Sequence, residues 1–219
     1  MEEKRKDREY AARHNDLFAE PGEEFLKCAE LLRLVPGDRV IDFGCGNGDF
    51  LDAALRISGS AVGVDQAGSR LEAAALRFKG DTRVKLVKSP FLDFDPGALT
   101  FTKGFSRKAL RHLTDREKTL FFAKTGKSFA PKALFLVEDV IFDFERPDLD
   151  RNWPGLMKDC AAYYGASWER RKNEVVFCFK KEYPAGIKAW TSALAAGGFK
   201  ILHRGRRSSF YGSLLAEKE

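Results

Sequence analysis

Apolar positions along the chain follow two rhythms. Short runs of branched and aromatic residues alternate with longer stretches in which apolar positions recur every three or four residues. The first periodic stretch, 3–16, is highly charged and predicts a helix. A second follows Pro21-Gly22, with Phe25, Leu26, Ala29, Leu31 and Leu32 as its apolar positions, and stops at Pro36-Gly37. Strands are predicted over 38–43, 60–65 and 83–88, separated by helices over 47–57 and 67–78, an order that makes successive strands parallel.

In the second half, LTFTKGFS at 99–106 predicts a strand, although Thr102, Lys103 and Gly104 are poor central-strand residues. A helix over 115–128 precedes ALFLVEDVIF at 133–142, apolar enough for a strand covered on both faces. The segment 143–172 carries Trp153, Tyr163, Tyr164 and Trp168 and is too long for a connection. It reads as an insertion or lid with a short helix near 154–164. NEVVFCFKK at 173–181 predicts a strand, and a helix over 184–196 ends at Gly197-Gly198. FKILHR at 199–204 and FYGSLLAEK at 210–218 predict an antiparallel pair. The whole is a doubly wound α/β fold, a seven-strand, mostly parallel sheet with an antiparallel last strand.

Length and composition narrow this picture. The 219 residues suit one domain, 1–219, with an N-terminal helical cap (1–35) and the inserted lid or substrate segment (143–172). Hydrophobic residues at 44% exclude a disordered chain, and a net charge of +6 is too mild to define a nucleic-acid partner. Cys28, Cys45, Cys160 and Cys178 are too dispersed for a zinc cluster or a disulfide framework, and no metal site is expected. With no signal-peptide core and no apolar run long enough to span a bilayer, a cytoplasmic protein without membrane insertion is expected.

Candidate chemistry concentrates in VIDFGCGNGDFL at 40–51, where a strand runs through Gly44, Gly46 and Gly48 into a helix. Glycine accepts positive φ and lets a ligand approach the backbone, and the helix start offers unpaired N–H groups. A dinucleotide GxGxxG would need glycine at 49 or 51, where Asp49 and Leu51 stand, and no GK[ST] of a phosphate loop follows. The second strand ends at Asp65, placed to accept hydrogen bonds from the two hydroxyls of a ribose. Glycine turn and acid in this order indicate a nucleoside ligand.

From about Glu24 to Leu215 the sequence resembles the class I S-adenosylmethionine-dependent methyltransferases, particularly the small-molecule branch of ubiquinone and menaquinone biosynthesis. DFGCGNG is similar to the family's first motif; the resemblance implies that Asp42, Gly44, Gly46 and Gly48 line the methionine portion of S-adenosyl-L-methionine. Asp65 would bind its ribose, with Gln66 beside the adenine. SRKALRHLTDREK at 106–118 resembles the family's segment after strand four, with Arg111 replacing its first histidine; EYPAGIKAWTSALAAGGFKIL and SFYGSLLAEK resemble its late helix and last strands. The chain departs from the family at Ser89-Pro90, where many members carry Gly-Asp, and at FAPKA, which lacks the usual glycines. Adenine recognition would then fall to Ser89 and Phe91, with Phe105 and Ser106 beside the cofactor.

The implied reaction is methyl transfer to a small-molecule acceptor. Where that acceptor must lose a proton, His112, Asp139 and Tyr163 are the candidate bases, in that order. Glu138, next to Asp139, should face the other way. Each residue also has a plainer reading: Phe91 and Phe105 as core, His112 as a capping group, the aromatics of 143–172 as a satellite core, and Arg204, Arg206 and Arg207 as an exposed turn. The alternatives are an RNA or protein methyltransferase, drawn from a sequence pI near 9.1 and the arginine cluster, and a non-catalytic cofactor-binding protein. Nucleic acid is the weaker reading because GFSRKA stands where amino-methylating enzymes carry an Asn/Asp-Pro-Pro-Tyr/Phe stretch.

Overall fold

The computed structural model describes residues 22–219; the helix predicted over 3–16 lies outside them. Helix α1 (Gly22–Leu31) leads into β1 (Arg39–Phe43), α2 (Asp49–Leu55), β2 (Ser60–Asp65), α3 (Gly68–Arg77) and β3 (Val84–Lys88). There follow β4 (Phe101–Arg107), α4 (Asp115–Thr125), β5 (Phe129–Phe142), α5 (Leu149–Tyr164), α6 (Trp168–Lys181), β6 (Ala185–Gly186), α7 (Ile187–Ala196), β7 (Phe199–Arg206) and β8 (Tyr211–Lys218).

The main sheet has the order β3-β2-β1-β4-β5-β8-β7, and the two-residue β6 pairs with β5 beside it. Strands β1 to β5 pair in parallel, and β8 runs antiparallel to both β5 and β7. The sequence order reverses between β1 and β4, so the carboxyl ends of these two central strands flank the crevice where a doubly wound sheet receives ligands.

Alternation along the strands builds a layer on each face. On one side Ile41, Phe43, Phe135 and Leu214 pack against Phe121 and Phe122 of α4 and Trp190 of α7. On the other, Val40, Phe105, Leu134 and Leu136 meet Cys28, Ala29 and Leu32 around α1 and Phe50 and Leu51 of α2. Leu31, expected on the apolar face of α1, is exposed, and Cys28 takes the buried place. Helix α4 starts on a capping box: the Thr114 hydroxyl accepts from the Glu117 amide, and the Glu117 carboxylate accepts from the Thr114 amide.

The predicted LTFTKGFS strand forms as β4 and sits centrally. Gly104 is required there, because a Cβ would press into the rings of Phe135 and Phe129. Strand β5 begins at Phe129, earlier than expected, and a register irregularity between Phe101 and Lys103 accommodates the added residues.

The prediction for 173–181 is corrected. NEVVFCFKK is not a strand but lies within the helix α6. The branched and aromatic residues imitate a strand locally, yet Trp168, Val175 and Phe179 are the buried positions, a spacing of seven and four that forms a helical stripe. The short helix expected near 154–164 is the longer α5. Helices α5 and α6 bury Leu156, Cys160, Trp168 and Phe179 with Val140 and Phe142 of β5 and Phe210, a third cluster at the end of the sheet. No helix among the described residues is long and apolar enough to cross a membrane.

Candidate functional site

The glycine turn closes β1 against β2: the amides of Gly44 and Cys45 both donate to the Val64 carbonyl. Gly44, Gly46 and Gly48 have φ of 85°, 54° and 82°, a region L-residues adopt at a cost. Two of the three are also close-packed. A Cβ on Gly44 would collide with Ala109, and one on Gly48 would lie 2.5 Å from the Phe78 ring. Gly46 differs: its nearest neighbour would be the Arg70 side chain at 3.9 Å, leaving open space over the backbone.

Asp65 is 7% exposed, and its two oxygens accept separately from the Gly46 amide (2.9 Å, Oδ2) and the Ala67 amide (2.8 Å, Oδ1). Each keeps a further lone pair for a ligand hydroxyl. Asp42 is 2% exposed, and its Oδ1 finds no hydrogen-bond partner among the described residues. Burial first, then the charges of Asp65 and Asp49, push its carboxyl well above the ordinary range.

This electrostatic pattern discriminates between ligands. A phosphate-binding loop aims its amides at an anion, but here the Gly46 amide is committed to a carboxylate, and Asp49 and Asp52 occupy the first turn of α2. Four acids, Asp42, Asp49, Asp52 and Asp65, beside one glycine turn favour a cation. Hydroxyl acceptors, an orphaned acid and open backbone together fit a nucleoside carrying positive charge, and thus S-adenosyl-L-methionine.

Around this core, Ser89 donates its amide to the Asp65 carbonyl (3.0 Å) and its hydroxyl to the Pro90 carbonyl (2.9 Å), while Gln66 is exposed. Phe91 is half-buried, edge-on to Phe43, with its ring tip 3.6 Å from where a Gly44 Cβ would stand. Phe105 and Ser106 are both buried. Alternation along β4 turns Phe105 into the α2 layer, stacked on Phe50 at 3.8 Å, and the buried Ser106 hydroxyl donates to the Phe43 carbonyl. Ser106 thus ties β4 to β1, and Phe105 ties β4 to α2.

The turn after β4 carries a second cluster. Lys108 adopts φ of 52°, Ala109 lies against Gly44, and a 3-10 turn follows at Leu110–His112. Asp139, 1% exposed, accepts from the Arg111 amide (3.0 Å) and the Val140 amide (2.8 Å). The Arg111 guanidinium donates from Nε to Glu182 (2.5 Å) and lies 3.7 Å from Asp139. His112 Nδ1 stands 3.6 Å from the other Glu182 oxygen, with 43% of its side chain exposed. Burial and then Arg111 lower the His112 pKa below the ordinary value, against the pull of Glu182 and Asp139.

Glu138 faces away from Asp139, toward α1. It pairs with Arg107 (3.1 Å) and Arg207 (3.3 Å), and Arg207 also reaches Glu24 (2.8 Å). Arg204 and Arg206 both bind Asp143. The arginine cluster therefore divides between an exposed turn and a partly buried network. Trp153, Tyr164 and Trp168 belong to the third hydrophobic cluster, and Tyr163, 43% exposed, rests its ring on Tyr164 and Phe210. Glu182 carries no signal in the sequence, because its position depends on 173–181 being a helix. The Arg107–Glu138 pair was legible only in part, through the alternation that separates Glu138 from Asp139.

Comparison with known proteins agrees with this geometry. Residues 40–132 match the family model described as a methyltransferase domain. An uncharacterized methyltransferase of Oceanobacillus iheyensis is 24% identical over 106 residues, 48% of this chain and 48% of that protein; the chain thus spans about half the length of the curated relative it matches. Among solved structures, the N-methyltransferase NodS of Bradyrhizobium japonicum, in complex with S-adenosyl-L-homocysteine, superposes with a TM-score of 0.64 at 14% identity, covering 93% of this chain and 90% of that one. CalS10 of Micromonospora echinaspora, an amino pentose methyltransferase with bound S-adenosylmethionine, gives 0.65 at 14% identity over 92% and 93%. At such identities the likeness is one of fold, and the sheet is the Rossmann-like sheet of the methyltransferases.

Proposed function

We propose that this chain, whose residues 40–132 match the model of a methyltransferase domain, is an S-adenosyl-L-methionine-dependent methyltransferase for a small-molecule acceptor. The observation that carries the cofactor is the orphaned, buried Asp42 beside an Asp65 that already holds the Gly46 amide. That pairing selects a positively charged nucleoside over a phosphorylated one. The similar folds of NodS and of the amino pentose methyltransferase CalS10 support a small acceptor. The likeness of SRKALRHLTDREK to the quinone-biosynthesis branch keeps flat, phenolic acceptors first in line.

When bound, the cofactor supplies a methyl group on a sulfonium whose sulfur leaves as a neutral thioether. The residues of this chain hold and orient. Asp65 fixes the ribose, the backbone at Gly46 gives the ligand its approach, and Asp42 holds positive charge. Ala109 of the turn at 109–112 packs against Gly44, and we assign His112, at the end of that turn, to the acceptor side. His112 is the group to accept a proton, since Asp139 is committed to two amides and the Tyr163 ring rests on Tyr164 and Phe210. The segment 143–172, as part of the α5–α6 pair, borders the acceptor side.

Isothermal titration with S-adenosylmethionine and S-adenosylhomocysteine, using NAD and ATP as controls, tests the reading. Micromolar binding of the first two alone is expected, and binding of NAD or ATP in their place would overturn it.

A further inference from the structure

Glu182 is fixed by contacts that have no bearing on the cofactor. The Tyr183 amide donates to the Arg111 carbonyl (2.8 Å), and the fully buried Lys118 ammonium donates to the Tyr183 carbonyl (2.6 Å). The segment leaving α6 is thereby stitched to the turn after β4. Its carboxylate divides its oxygens, Oε2 on Arg111 Nε and Oε1 facing His112 Nδ1.

We infer that Glu182 is a positioning residue for His112. Its carboxylate holds the imidazole as the Nδ1–H tautomer and leaves Nε2, on the opposite edge of the half-exposed ring, to receive the acceptor's proton. The inference rests on the methyl-transfer reading above. The 3.6 Å separation is an ion-pair distance, at which the carboxylate favours a proton on the facing Nδ1 electrostatically.

Charge in the cluster supports this assignment. Glu182 and Asp139 favour a proton on His112, against Arg111 and Arg70. Burial opposes ionisation of Glu182, but Arg111, His112 and a hydrogen bond from Cys178 outweigh it and keep the carboxyl below its ordinary value. The Cys178 thiol is itself pushed up by burial and stays neutral. Arg70, on the α3 side, and Arg111 both disfavour the imidazolium, so the resting ring is neutral. Arg70 also lies along Gly46, so the same arginine borders the glycine turn and acts on the His112 charge.

The proton balance is direct. The O–H or N–H bond of the acceptor breaks, its proton passes to Nε2, and its electron pair remains on the acceptor atom to form the bond to the methyl carbon. The imidazolium then returns the proton to water.

The chain has three histidines, His14, His112 and His203, so their imidazoles can be followed individually by NMR in the full chain, with His112→Gln identifying the signal. In 15N-histidine-labelled protein at pH 8, long-range 1H–15N correlations should show His112 as the Nδ1–H tautomer; the Nε2–H tautomer overturns the inference without any variant at Glu182. In a pH titration, Glu182→Gln should lower the His112 midpoint by about one unit, tenfold in proton affinity, and Glu182→Asp should restore part of it. An unchanged midpoint in Glu182→Gln also overturns it. Calorimetry with S-adenosylmethionine separates the two readings. An Nδ1–H tautomer in a chain that binds no cofactor upholds the Glu182–His112 pairing and overturns its use in methyl transfer.

Discussion

The Gly46 amide donates to the Asp65 carboxylate at 2.9 Å, joining the middle of the glycine turn to the end of the neighbouring strand. One hydrogen bond thus sets the conformation of the turn, removes a phosphate-binding donor, and points an acid at the space over Gly46.

Replacing Asp65 by Ala should weaken cofactor binding by about 1–3 kcal/mol, roughly 10- to 100-fold in Kd, because it deletes two hydroxyl acceptors and strands two amides. Calorimetric titration of the variant checks this, and an unchanged Kd would remove Asp65 from the site.

The glycines should separate by assay. Gly48→Ala drives a Cβ to 2.5 Å from Phe78 and adds left-handed strain, so urea denaturation should show a loss of about 2–3 kcal/mol. Gly46→Ala carries strain alone, about 1 kcal/mol, whereas Gly46→Val should abolish cofactor binding in a folded protein, since its side chain enters the open space.

Asp42 couples ligand to proton. Its carboxyl is raised in the folded chain by burial and by Asp65 and Asp49, so binding a cation should release a proton. Titration in buffers of different ionisation enthalpy should show this release, larger with S-adenosylmethionine than with S-adenosylhomocysteine, which lacks the sulfonium charge.

The same raised carboxyl sets a stability trend. A group that holds its proton more tightly when folded stabilises the chain below the unfolded pKa, about 3.9, and loses that contribution as pH rises through the folded value. Asp42→Asn should therefore gain about 1–2 kcal/mol over the parent at neutral and alkaline pH. The advantage should shrink toward acid, while cofactor affinity is lost. Thermal melts across pH follow the first effect, and equal melting temperatures at pH 8 would contradict it.

Charge removal should depend on depth. Glu138→Ala leaves the buried Arg107 without its carboxylate and should cost about 3–5 kcal/mol. Arg206→Ala, at an exposed ion pair with Asp143, should cost under about 1 kcal/mol. Chemical denaturation of the two variants compares them directly.

The first half of the fold was legible because pattern and punctuation agreed: AVGVD ends its strand at Asp65, and Pro36-Gly37 stops α1. β4 was legible despite Thr102, Lys103 and Gly104, since the alternation of strands and helices demanded it. NEVVFCFKK was misread because tertiary packing overrode local strand preference, and Glu182 was hidden with it. Phe105 and Ser106 sit at the right end of the right strand, but their direction is set by the pleat, which no motif records.

Glu138 and Asp139 differ by one methylene and stand back to back on β5, each fitted to its own arginine. Sliding β5 by a single residue would put the shorter acid in the place facing Arg107 and leave an apolar residue at the Arg111 amide, while turning Phe135 and Leu136 each into the layer opposite its own. The pair works as a key cut differently on its two edges, and it admits one alignment of the central strand. The carboxyl end of β5, which anchors the turn after β4 through Asp139, is thus held in register by charge as well as by apolar contact.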